Sequence, residues 1–144
     1  MTSEDKGIAM TRELRDYLVA HSIAPIPQHA AIISDTLAAA EAWSIMQIPR
    51  EQGPFMTLLA RLVGARLAVE VGTFTGYSAL CIALGLAEGG RLVCFDVSDE
   101  WPAVGRPHWD AAGVGDRIEV RTGPAAETLA TLSDEPIDLV FLDA

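Results

Sequence analysis

A chain of 144 residues, half of them hydrophobic, is long enough for one globular domain with a packed core. Ten basic residues against twenty acidic ones give a formal net charge of −10, with Lys6 the only lysine; a surface of that sign repels phosphate backbones and anionic headgroups, which argues against a nucleic-acid or membrane partner. No stretch resembles a signal peptide and no apolar run is long and uninterrupted enough to span a bilayer, so a cytoplasmic protein is expected.

Residues 8–64 read as helical, with no strand pattern. Met10, Leu14, Tyr17, Leu18 and His21 recur at helical spacing, and after the break at Pro25 and Pro27 a second helix runs to about Trp43. Its predicted buried face is Ala30, Ile33, Leu37 and Ala40. His21 and His29 stand alone and read as surface or interface histidines. Ser44–Gly53 is a loop leading to a helix that Pro49 can open, with Phe55, Leu58, Leu59 and Leu62 as its buried face and Gly64 as its cap.

Leu67–Ser78, LAVEVGTFTGYS, is the stretch around which the remainder is organised. Leu67–Val71 predicts a buried strand running into a glycine-containing turn and then an apolar helix from Tyr77. Glu70, near the end of that strand, is costly to bury without partners. Gly72 and Gly76 permit positive φ and leave room for a ligand to approach the backbone, at the strand end where open α/β sheets bind nucleotides. The helix Tyr77–Ala87 is apolar on nearly every face and ends at Glu88-Gly89-Gly90. Arg91–Asp96 is a second buried strand. Asp96 follows Gly76 by twenty residues, the distance at which such proteins place an acid on ribose hydroxyls, and this role is favoured over a helix cap or a solvated strand end. Cys81 and Cys94 fall within apolar patterns without metal-ligand spacing and read as buried free thiols.

The next helix, to Ala112, contains Gly105 and Pro107 and should be kinked, broken or late to start. Trp101 and Trp109 on it read as core aromatics in preference to ligand contacts. Asp116–Thr122 is a third strand, Gly123-Pro124-Ala125 opens a short helix to about Leu132, and Ile137–Asp143 is a fourth strand of the fully buried type. Glu70, Asp96 and Asp143 would then lie along one edge of one sheet. The alternation predicts an α/β fold, a doubly wound and mostly parallel sheet. Residues 1–64 form an N-terminal helical extension and residues 65–144 the first part of the α/β unit, within one domain overall.

The glycines follow G-x-x-x-G behind Glu70, not the G-x-G-x-x-G of dinucleotide sites. This E-x-G-x-x-x-G pattern resembles the first motif of class I S-adenosylmethionine (SAM)-dependent methyltransferases. The full string EVGTFTGYSAL is narrower and resembles the caffeoyl-CoA and catechol O-methyltransferases, a cation-dependent group. The likeness continues through Val97–Trp101, Trp109 and Ala112–Val114, and FLDA at Phe141–Ala144 matches the start of that family's F-[ILV]-D-A-D-K segment.

The resemblance implies a Rossmann-like methyltransferase fold and a site for SAM. Glu70 and the Gly72–Thr73 backbone would lie near its amino-acid part, Asp96 on its ribose, Ser78 against it, and Ala125 near the adenine. The loop with Met46, Gln47 and Ile48 would cross the pocket, Ile48 standing where the family often has a hydroxyl residue. Asp143 matches a ligand to a divalent cation, for which Mg²⁺ is the best fit and Ca²⁺ or Mn²⁺ are alternatives. The acceptor would be a small phenol or catechol, and the assembly a homodimer. The general-base lysine, the second aspartate and the later Asp-Asn pair of the family do not occur in these 144 residues. The resemblance thus describes a C-terminally incomplete member, which should not by itself catalyse cation-dependent methyl transfer. Three alternatives stand beside it: an NAD-dependent dehydrogenase, disfavoured by the glycine spacing; a tRNA-modifying methyltransferase, disfavoured by the charge; and a non-catalytic nucleotide-binding module.

Overall fold

The computed structural model describes residues 8–132 and 134–144. Helices α1 (Arg12–His21) and α2 (Pro27–Ala39), a 3₁₀ turn over Glu41–Met46, and α3 (Gln52–Leu62) precede the first strand. Then β1 (Leu67–Val71), α4 (Tyr77–Ala83), β2 (Arg91–Asp96), α5 (Glu100–Ala111), β3 (Ile118–Thr122), α6 (Ala125–Thr128) and β4 (Leu139–Leu142) alternate. The four strands are parallel in the order β3-β2-β1-β4. Among the described residues no helix is long and apolar enough to cross a membrane.

Both faces of the sheet are covered. Ala68, Leu92, Cys94 and Ile118 join α2, α3 and α4 and the buried Trp109 of α5 in one core. Their neighbours Leu67, Val69, Val71, Val93 and Phe95 point the other way, toward Ala125, Leu129 and Leu132. Burial on both faces is why β1 and β2 read as continuous apolar runs and not as alternating ones. The chain proceeds outward from β1 through β2 to β3 and then crosses back to β4, so the order reverses beside β1. That reversal opens a crevice at the carboxyl ends of the strands.

Several expectations are corrected. In α2 the buried residues are His29, Ile32 and Thr36, while Leu37 is 54% exposed. In α3 they are Gly53, Met56, Thr57 and Ala60, while Phe55, Leu58 and Leu62 are exposed. The physical reason in α3 is close approach: a Cβ at Gly53 would lie only 2.8 Å from Cys81 Sγ, so the small-residue ridge is the one that fits against α4. Helix α1 buries no residue fully; Tyr17 is exposed and stacks on His21 with ring centroids 3.9 Å apart. His29 is not a surface residue. It is buried, and its Nδ1 accepts the Ile26 N–H at 3.1 Å, capping the start of α2.

Helix α4 stops at Ala83, four residues early, as the chain turns through Gly85 N–H to Ile82 O and Ala87 N–H to Ala65 O. Helix α5 runs unbroken from Glu100 to Ala111 with Pro107 inside it. The proline deprives only the carbonyl of Ala103 of its donor, and both residues are exposed, so solvent can replace that bond. β4 is not fully buried. As the edge strand it leaves Val140 51% and Leu142 70% exposed. Gly64 caps α3 as expected, with Gly64 N–H on Arg61 O and Ala65 N–H on Ala60 O.

Candidate functional site

A cavity of about 640 Å³ opens at the carboxyl edge of β1 and β2, a size suited to a cofactor-sized ligand. Its walls are the loop Ile45–Ile48, the turn Gly72–Ser78, the segment Phe95–Ser98, Trp101, Gly123, Ala125 and the Asp143–Ala144 end of β4. Of the residues expected at a cofactor site, Ile48, Gly72, Thr73, Ser78, Asp96 and Ala125 all line it. Glu70 does not; it lies behind the wall, fully buried.

The Gly72–Gly76 turn is held from three sides. Asp96 Oδ2 accepts the backbone N–H groups of Thr73 at 2.9 Å and Phe74 at 2.8 Å, and its Oδ1 accepts that of Ser98 at 3.0 Å. One carboxylate thus clamps the end of β2 to the turn while still facing the pocket. These charge-assisted bonds hold Phe74 at φ +49°, a left-handed conformation that costs a non-glycine residue about 1–2 kcal/mol. The Phe74 ring lies at 5.5 Å from that of Trp101. Trp101 is therefore a pocket residue, contrary to its reading as core, whereas Trp109 is core as expected, 1% exposed.

Gly72 and Gly76 have the positive φ expected of them, +87° and +82°, and both line the pocket, and a second reason for glycine is close packing behind each. A Cβ on Gly76, at φ +82°, would run into the Trp109 ring, whose Nε1–H donates to Gly76 O at 3.0 Å. A Cβ on Gly72 would run into the Asp143 carbonyl oxygen. The room they leave is filled by the protein itself. A third tie was not legible in the sequence: Thr75 Oγ1 lies 2.6 Å from Thr36 Oγ1 on α2. Since Thr36 donates to Ile32 O at 2.8 Å, Thr75 is the donor of the pair.

Glu70 carries the electrostatic cost of the site. Burial lifts its carboxyl from the ordinary 4.5 to about 7, with Ser78, Cys94 and Thr73 opposing the rise and Asp143 adding to it. A carboxyl raised in the folded state keeps, between about pH 4.5 and about 7, a proton that the unfolded chain releases. Its contribution to stability is therefore undiminished below that window and is lost as pH rises through it. Urea unfolding across the window should show wild type losing up to about 3 kcal/mol relative to Glu70→Gln. Parallel pH profiles for the two proteins would contradict this account.

Glu70 Oε1 and Thr73 Oγ1 are buried without a hydrogen-bond partner. Unpaired acceptors of this kind beside a pocket are what a ligand with donor groups would satisfy. Together with the carboxylate of Asp96 and the aromatic wall of Trp101, they fit an aminoacyl nucleoside such as SAM. Of the expected cation site, the described residues hold only Asp143. Asp143 is exposed at the end of β4, and among the described residues no three His, Cys, Asp or Glu side chains converge. A single carboxylate leaves most of the oxygen shell of Mg²⁺ or Ca²⁺ unfilled.

The O-methyltransferase family model matches residues 28–144. A catechol O-methyltransferase of Mycobacterium tuberculosis is 40% identical over 114 residues, covering 78% of this chain and 52% of that protein. A caffeoyl-CoA O-methyltransferase of Petroselinum crispum is 31% identical over 144 residues, covering 96% of this chain and 60% of that protein. Among solved structures, an O-methyltransferase from Bacillus cereus in complex with SAH has a TM-score of 0.80 at 32% identity, over 92% of this chain and 60% of that one. TomG from Streptomyces achromogenes, in complex with SAM, has a TM-score of 0.82 at 28% identity, with the same coverage of 92% and 60%. The chain spans between half and two-thirds of the length of these relatives.

Proposed function

Because this chain belongs to the O-methyltransferase family and has its Rossmann-like methyltransferase fold, we propose that its pocket binds SAM in the service of methyl transfer to a hydroxyl of a small phenolic acceptor. The observation that carries the reading is Asp96, a carboxylate at the tip of β2 that faces the cavity while holding the glycine turn beside it. Three of its acceptor sites are taken by backbone N–H groups, and a ribose hydroxyl would take what remains. Trp101 and Ala125 offer flat and small surfaces for the adenine. Thr73 and Ser78, with the carboxyl of Glu70 behind them, suit the ammonium end.

Bound SAM supplies an electrophilic methyl group on a sulfonium, ready for in-line attack by an oxygen. What this chain contributes is positioning, the larger part of such a catalyst's effect. Ile45 and Met46 stand at the mouth, 90% and 56% exposed, and offer an apolar platform to an aromatic acceptor. Asp143 could supply one oxygen to a cation, but the residues present do not complete a site, and no step is routed through a metal.

Calorimetric titration of the chain with SAH, SAM and NAD tests the reading. Saturable binding of SAH and SAM with no heat from NAD is expected; binding of NAD in preference to SAH would overturn it. Turnover of catechol by the whole protein with SAM then tests the acceptor.

A further inference from the structure

Glu70 and Cys94 are register partners on β1 and β2. Both are fully buried, and the Cys94 thiol donates to Glu70 Oε2 at 3.3 Å. This leaves Oε1 without a partner. The other side chains that act on this carboxyl are Thr73 from the turn, Ser78 and Cys81 from α4, and Asp143 after β4. Of these, Thr73, Ser78 and Asp143 line the pocket. The thiol of the neighbouring strand is the donor placed at hydrogen-bond distance from Oε2, away from the pocket, while the hydroxyls of Ser78 and Thr73 act on the carboxyl from the pocket side.

We infer that Cys94 is a positioning residue for the cofactor's ammonium group: its thiol holds one oxygen of Glu70 and leaves the other free to attract the ammonium from behind the Thr73–Ser78 wall. The inference rests on the reading of the pocket as a SAM site. A carboxylate in a dry interior keeps its charge only where donors or cations attend it. Without the thiol, Oε2 loses its donor, the balance moves further toward the neutral acid, and the attraction of Glu70 for an ammonium is reduced. Sulfur suits the position because it is cheap to bury, and its long C–S bond reaches across the strand spacing without displacing the backbone.

The test compares two ligands, SAH and its deaminated analogue, which has hydrogen in place of the amino group, by calorimetry. Cys94→Ala removes the donor, and Cys94→Val removes it while refilling the volume, so a cavity cannot account for what both share. Each should weaken SAH by about three- to ten-fold and leave the deaminated analogue within about two-fold of wild type. Cys94→Ser, which restores a donor, should recover most of the loss for SAH. Equal weakening of both ligands, or of neither, overturns the positioning role. Failure of the wild-type chain to bind SAH at all is a different result, and it removes the SAM site together with this inference.

Discussion

Gly76→Ala is expected to destabilise the domain by about 3–5 kcal/mol, enough to leave little folded protein in a chain of ordinary stability. The methyl would enter the Trp109 ring and lie 2.9 Å from its Cε2, at a residue with φ +82°. Trp109 has no free space to retreat into, being 1% exposed, and any rotation breaks its bond to Gly76 O. Gly113 supplies the control. It too has positive φ, +71°, but nothing lies within 4 Å of its added Cβ, so Gly113→Ala should cost only about 1–2 kcal/mol of backbone strain. Urea unfolding of the two variants measures the difference, and equal losses would mean that the Trp109 contact yields easily.

Asp96→Ala should have the largest effect on ligand binding, weakening SAH by about 1.5–3 kcal/mol, the range for losing a hydrogen bond to a charged group. Because the same carboxylate accepts the backbone N–H groups of Thr73, Phe74 and Ser98, the variant should also lose stability without ligand, by about 1–3 kcal/mol for buried donors left unpaired. Calorimetry and thermal unfolding separate the two losses. An unchanged dissociation constant for SAH would remove Asp96 from the ligand; an unchanged melting temperature would remove it from the turn.

The sheet and the pocket were legible because they follow from strong local patterns. A parallel strand covered on both faces must be apolar throughout, so LAVEV and RLVCF stand out, and the crossover from each strand must leave by its carboxyl end. Six of the seven expected cofactor residues consequently line one cavity. Helix faces were legible only in part. In α3 the apolar row Phe55, Leu58 and Leu62 has the stronger hydrophobic signal, yet what decides packing is how near two backbones must come, and Gly53, Thr57 and Ala60 allow the shorter distance to α4. Pro107 misled in the opposite sense, since the last turn of its helix is held fast: Trp109 is anchored on Gly76, and Val114 N–H closes on Trp109 O. The backbone clamp of Asp96 could not be read at all, because a one-dimensional pattern places an acid at a strand tip without saying which of its lone pairs are already taken.

The hydroxyl pair Thr36–Thr75 has a consequence for motion. It joins the last turn of α2 to the turn that walls the pocket, with both side chains at 1% exposure or less, so neither segment can open alone without stranding a buried hydroxyl. Amide hydrogen exchange should therefore release α2 and residues 73–76 as one cooperative unit. A ligand that settles against the turn would slow exchange along α2 as well, far from any atom it touches.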